Sequence, residues 1–296
     1  MKKLIVSLLL LFGVSFTAQT QTTIEGADGV NVEIDNLSRI ITVGGSISET
    51  VWALGGGPQV IATDESTTFP PEVFRMPRVP YVRNLTSEGI LSLGPTLILA
   101  SDDASPQAAV DQIRSAGTDL LLIKEEESME GVIHKIKIIG EVLGKTDEAQ
   151  ELIRENQELY DKAAEYRKEL TSEPSVLFVL SVNNGSTFMA AGTNTGAEKI
   201  IALAGGKNAM ESFQGYKPVS NEAILAANPD YILVMESRLE EVTNAVKNTD
   251  GINLITASQK NQIVGMDGNK LLGFGPRFGS AILELISLLH PEESDL

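Results

Sequence analysis

Residues 80–91 read PYVRNLTSEGIL and set Tyr81 two positions before Arg83. A free phenol titrates near ~10, so its oxygen becomes an anionic donor at neutral pH only with help from a metal or a neighbouring cation. In an extended segment residues i and i+2 project to one side, which would bring the Arg83 guanidinium to the Tyr81 oxygen. Taken alone, the pair reads more simply as a half-buried tyrosine and a surface ion pair. The same stretch runs on through Glu88 and an apolar run to Pro95, and residues 221–233, NEAILAANPDYIL, repeat that layout with Glu222 and Pro229. The second copy carries no Tyr-x-Arg pair ahead of its glutamate. Each glutamate opens a helical pattern, where the helix dipole stabilises a carboxylate by about 0.3–1 kcal/mol.

Such residues need elements to hold them, and from Arg39 onward short β-rich runs alternate with helical ones. RIITVG, QVIATD and TLILAS read as strands; SISETVWALG, SEGILSLG and SPQAAVDQIRSAG read as helices. Buried strands alternating with helices predict a mostly parallel sheet covered on both faces. Residues 145–172 contain no glycine or proline and place Ala149, Leu152, Ile153, Leu159, Ala163 and Tyr166 near helical spacing. That predicts one long helix standing between two lobes and outside both cores, with an ordinary surface helix as the alternative. A second internal echo supports two lobes of related architecture: Glu49 precedes Ala53 and Leu54 as Glu198 precedes Ala202 and Leu203, with glycines after each. A ligand site then belongs in the cleft between the lobes, where strand and helix ends converge.

The composition narrows the chemistry. The 296 residues, 42% of them hydrophobic and 21% charged, suit a packed globular protein of two domains. The first 18 residues, with Lys2 and Lys3 ahead of an apolar run, have the layout of a cleaved secretory leader. The run is shorter than the roughly 20 residues that span a bilayer. With no cysteine there is no lipid attachment site, disulfide or thiolate chemistry, and the expectation is a free periplasmic protein. A net charge of −17, more negative still without the two leader lysines, argues against binding to nucleic acid or anionic membrane. Gly55–Gly57 lack the Lys-Ser or Lys-Thr of a phosphate-binding loop, and no Ser/His/Asp set is suggested, so an enzyme is not expected. The two histidines, His134 and His290, are expected on the surface.

IITVGGSISETVWALG, YVRNLTSEGILSLGPTLILAS, FMAAGTNTGAEKIIALAGGKNAM, PVSNEAILAANPDYIL and LLGFGPR, taken in this order, resemble the periplasmic substrate-binding proteins of ABC importers. The resemblance is to the class with two Rossmann-like lobes joined by one rigid helix, and within it to the haem-binding members. It implies an α/β fold with a leader at 1–18, an N-terminal lobe at 36–144, a connecting helix at 145–172 and a C-terminal lobe at 173–296. It implies ferric haem b as transported ligand, Tyr81 as axial ligand of the iron, and Arg83 as the cation beside it. A phenolate is a hard oxygen donor suited to Fe(III). Phe69, Met189 and Phe274 are expected to wall the pocket, Arg277 to meet a propionate, and Met189 is a remote candidate for a sixth ligand. Some haem binders add a histidine where this chain has Val182 and Asn183, so a tyrosine-only site is implied. Glu88 and Glu222 match the acidic knobs that dock on an inner-membrane permease and ATPase complex, and the protein is expected to act as a monomer. A cobalamin or ferric-siderophore carrier of the same fold is the alternative.

Overall fold

A computed structural model describes residues 22–293; the leader expected at the N-terminus lies outside them. The chain first forms an antiparallel hairpin of β1 (Thr22–Glu25) and β2 (Asn31–Ile34). Ile24, Val32 and Ile34 bury one face of it against the first lobe, and Ala27 N donates to Leu122 O. The alternation from Arg39 gives no sign of this hairpin, whose strands are only four residues long.

The N-terminal lobe follows as β3 (Ile40–Val43), α1 (Gly45–Ala53), β4 (Val60–Asp64), β5 (Arg78–Val79), α2 (Ser87–Leu91), β6 (Leu97–Ser101), α3 (Gln107–Ser115), β7 (Asp119–Ile123) and α4 (Met129–Leu143). Its five strands lie parallel in the order β5-β4-β3-β6-β7. Every residue of β3 and β6 is buried, as the unbroken apolar runs predict for a sheet covered on both faces.

Helix α5 (Thr146–Glu169) then spans about 36 Å at 1.5 Å per residue. Asp147 and Glu148 open it and Arg167 and Lys168 close it, each sign matching the helix dipole. Arg154 pairs with both Glu151 and Glu158 on its exposed face.

The C-terminal lobe comprises β8 (Ser175–Asn183), β9 (Thr187–Ala191), α6 (Gly196–Leu203), β10 (Lys207–Asn208), β11 (Tyr216–Val219), α7 (Asn221–Ala227), β12 (Tyr231–Met235), α8 (Leu239–Asn248), α9 (Thr256–Gln259), β13 (Ile263–Met266), α10 (Gly268–Leu272) and α11 (Phe278–Leu289). Its main sheet runs β11-β9-β8-β12-β13, with β10 beside β8; β8, β12 and β13 are parallel and β9 and β11 alternate against them. The sequence echoes fall on matching elements. Helices α2 and α7 lead into β6 and β12, and these strands pair with β3 and β8, the first strand of each main sheet.

The long helix is not outside the cores. Ala149 and Ala163 belong to one apolar cluster that runs from α1 and α4, through α5, to α6 and α11. Asn156, which hydrophobic spacing could not flag, is also buried: its amide donates to Pro276 O at 2.6 Å and accepts from Gly279 N at 3.3 Å. Two further clusters fill the outer face of each sheet. Among the described residues no helix is long and apolar enough to cross a membrane.

Candidate ligand-binding site

Parallel strands place their carboxyl ends on one edge of a sheet, and ligands of open α/β folds bind outside that edge. Here the residues that follow those ends come together from both lobes. Gly44 and Gly45 follow β3, Glu65 follows β4, Asp103 follows β6, Glu125 follows β7, Glu236 to Arg238 follow β12, and Asp267 follows β13. They line a cavity of about 1010 Å³, at the upper end of the ~300–1,000 Å³ usual for small-molecule sites. Tyr81, Phe74, Met235, Leu272 and Phe274 supply its apolar surface. The turn at Gly44 has φ 122°, a region side chains avoid, and Asp64 Oδ1 fixes it by accepting from Gly44 N at 3.1 Å.

Tyr81 is 39% exposed at the cavity wall. It does not stand in an extended segment: it leads into a single 3₁₀ turn over Val82–Asn84, closed by Asn84 N donating to Tyr81 O. Arg83 pairs instead with Asp103, 2.6 Å away. Asp103 holds the guanidinium more firmly cationic, and Tyr81 contributes to that in smaller measure. The arginine thus brings a positive charge near the phenol while being held in place by a carboxylate the sequence did not single out.

Of the other expected wall residues, Phe274 lines the cavity and is buried. Phe69 and Arg277 do not. They stack on each other, 4.1 Å from guanidinium carbon to ring centre, in a lateral crevice of about 470 Å³ shared with Trp52, Pro70 and Leu152. Arg277 is committed to two carboxylates, Glu49 at 2.5 and 2.9 Å and Asp267 at 2.7 Å, which strengthen its hold on the proton despite partial burial. It has no need of a propionate. Burial in turn pushes the Glu49 carboxyl above its ordinary range, against the pull of Arg277. Met189 sits half-buried in β9, opposite Ser181 of β8 and Pro218 of β11, outside the cavity lining. Val182 and Asn183 belong to β8 itself, which extends further than its apolar run suggested, and Val182 is buried opposite Phe188.

The histidines divide. His134 is exposed on α4, as expected. His290 is not a surface residue: it is 2% exposed, with Nε2 bonded to Ala204 O at 3.2 Å and Nδ1 to Ser172 Oγ at 3.1 Å. Tyr216 makes a poor phenolate, because burial and then the Glu127 carboxylate push it up to about 12.

Six carboxylates line the cavity, but four are paired: Asp103 with Arg83, Glu125 with Lys135, Glu127 with Lys199 and Asp267 with Arg277. Arg238 is the one basic side chain in the described lining, held by Glu241 at 2.9 Å on the lobe facing Tyr81. Sequence reasoning missed it. Its position three residues after the apolar run YILVM, beyond a strand's carboxyl end, was the available signal.

Glu88 and Glu222 both lie exposed in the first turn of α2 and α7. Ser220 caps α7 by accepting from Ala223 N, and hydrogen bonds from Glu222's own N–H and the Ser220 hydroxyl hold the Glu222 carboxyl below its ordinary range.

Comparison with known proteins bears on this arrangement. The periplasmic heme-binding protein BhuT, solved in complex with two hemes, is 34% identical, with 86% of this chain covering 99% of it at a TM-score of 0.79. The periplasmic heme-binding protein RhuT from Roseiflexus sp. RS-1 is 33% identical, with 87% and 99% covered at a TM-score of 0.81. An uncharacterized ABC transporter substrate-binding lipoprotein of Bacillus subtilis, YvrC, is 25% identical over 91% of this chain and 86% of its own length. A cobalamin-binding protein of Halobacterium salinarum is 26% identical over 85% of this chain and 69% of its own length. The model of the periplasmic binding protein family matches residues 40–269, and with two lobes meeting over one cavity the chain belongs to that family.

Proposed function

We propose that this protein binds ferric haem in the cavity between its lobes and carries it through the periplasm to an ABC importer, without chemical turnover. The observation that carries the reading is a tyrosine phenol on the wall of a cavity of about 1010 Å³, with the Arg83–Asp103 pair beside it and Phe274, Leu272 and Met235 opposite polar rims. The phenol is the hard oxygen donor that a ferric iron takes, and Arg83 is the cation near it. Arg238, which lines the cavity where Arg277 does not, would be the cation to meet a propionate. The likeness to BhuT and RhuT supports haem as the ligand.

The cobalamin-binding relative favours a second reading, a corrinoid in the same cavity. Titrating the purified protein with haemin and with cyanocobalamin separates the two. Haem carriage requires saturable haemin binding with a high-spin ferric spectrum and a phenolate charge-transfer band, and Arg238→Gln should weaken it by roughly tenfold or more, as loss of a charge-assisted hydrogen bond does. Tight cobalamin binding with only diffuse, non-saturating haemin uptake would replace haem with the corrinoid.

A further inference from the structure

The floor of the cavity is a seam where α1 of one lobe meets residues 267–277 of the other. A Cβ added to Gly45 would stand 2.5 Å from Asn269 Nδ2, and one on Gly275 would stand 3.3 Å from Ser46 Cβ, so the two segments are packed against each other at these glycines. Beneath that seam lies Lys135 of α4, a lysine with 0% exposure on a helix whose Val132, Ile136 and Ile139 belong to an apolar core cluster. Its ammonium donates to Glu125 Oε2 at 2.5 Å, Ser46 Oγ at 2.8 Å and Phe274 O at 3.2 Å, using all three of its protons. Ser46 Oγ closes the network by donating to Glu125 Oε1 at 2.8 Å.

Burial pushes the Lys135 ammonium toward the neutral form and Glu125 opposes that shift. An apolar pair of similar volume would generally stabilise a fold as well as a buried ion pair does, so stability alone is a weak reason for such a pair. Geometry is the better reason. Phe274 has φ 43°, a conformation uncommon for a side chain of its size, and its ring is buried against Phe278 at 4.8 Å. Its carbonyl is the group Lys135 grips, and Ser46, Glu125 and Phe274 all face the cavity.

We propose that Lys135 is a positioning residue: by tying Phe274 O of the C-terminal lobe to Ser46 and Glu125 of the N-terminal lobe, it sets the separation of the cavity walls before any ligand arrives. The cleft is then gauged to a ligand of fixed thickness. This rests on the cavity being the ligand site only where affinity is concerned; the lobe separation can be measured without ligand.

The chain has no cysteine, so Ser115→Cys on α3 and Asn248→Cys on α8, both exposed, give one spin label per lobe with no background. Pulsed electron resonance of the ligand-free protein should give one narrow distance. Lys135→Met keeps the length of the side chain and removes its donors; combining it with Glu125→Gln avoids leaving a carboxylate unpaired. In this folded double variant the distance distribution should broaden or split, and haemin affinity should fall at least tenfold. A distribution as narrow as the parent's would overturn the proposal, whatever the change in melting temperature. Should the double variant not fold, Ser46→Ala removes one hydroxyl and no charge; it should broaden the distribution to a lesser degree, and an unchanged width refutes the clamp. Absence of haemin binding in the parent protein refutes the haem reading and leaves the distances to decide the role of Lys135.

Discussion

At Tyr81 one oxygen atom separates coordination from burial. Tyr81→Phe keeps the ring on the cavity wall and deletes the donor, so the charge-transfer band should vanish from the haemin complex while weaker binding persists. The residual affinity follows from apolar area removed from water at roughly 25 cal/mol per Å², which the substitution leaves in place. Arg83→Ala keeps the donor and removes the cation, and it also frees Asp103, whose charge then opposes the phenolate. Haemin affinity should therefore fall, by less than Tyr81→Phe causes; a spectrum unaltered by Tyr81→Phe would move the iron elsewhere. Tyr81 was singled out by a family resemblance and stands on the cavity wall, but the carboxylate that holds Arg83 was not legible in the sequence. Asp103 lies 20 positions away in the chain, and only the side-by-side pairing of strands and turns brings it to Arg83. Arg277 lies in the lateral crevice, and its surroundings were hidden for a complementary reason. Its neighbours in the fold, Glu49 and Asp267, could not be seen as partners in a linear reading.

Helix α5 shows what periodicity can and cannot convey. Its existence and its boundaries, within a few residues, follow from 24 positions without glycine or proline and from the charges at its ends. Its packing does not, because the residue that matters most at its centre is polar. Asn156 satisfies the Pro276 carbonyl and the Gly279 amide where α11 begins, and a Cβ on Gly279 would stand 2.6 Å from Asn156 O. Gly279→Ala should therefore destabilise the fold by about 1–3 kcal/mol, the usual range for overpacking, read as a lower denaturant midpoint at unchanged slope. Asn156→Leu should cost a comparable amount by leaving two buried backbone groups without partners. If both variants unfold at the parent's midpoint, the helix is a tether and not a shared wall. The hairpin β1-β2 was missed for a different reason: unlike the fully buried β3, its short strands alternate buried and exposed residues and carry no apolar run.

Across the whole molecule, the two glutamates of the internal repeat lie on matching helices of the two lobes, with side chains exposed and away from the cavity lining. Reversing both, Glu88→Arg with Glu222→Arg, should abolish delivery to the importer, measured as haem-dependent growth or uptake into proteoliposomes, and leave the haemin dissociation constant within about twofold. A loss of haemin affinity of equal size would assign them to the ligand instead. The same repeat also hides an asymmetry. In the N-terminal lobe every neighbouring pair in the five-stranded sheet is parallel and must wait for a crossover to close, whereas β8, β9 and β11 pair antiparallel, and β8 meets β9 through a turn of three residues. Short-range pairings form sooner than long-range ones because less chain entropy is lost in bringing them together. The order of folding should then run against the order of the chain: in refolding followed by pulsed hydrogen exchange, amides of β8 and β9 should gain protection before those of β3 and β6, so that the last lobe to leave the ribosome is the first to acquire a sheet.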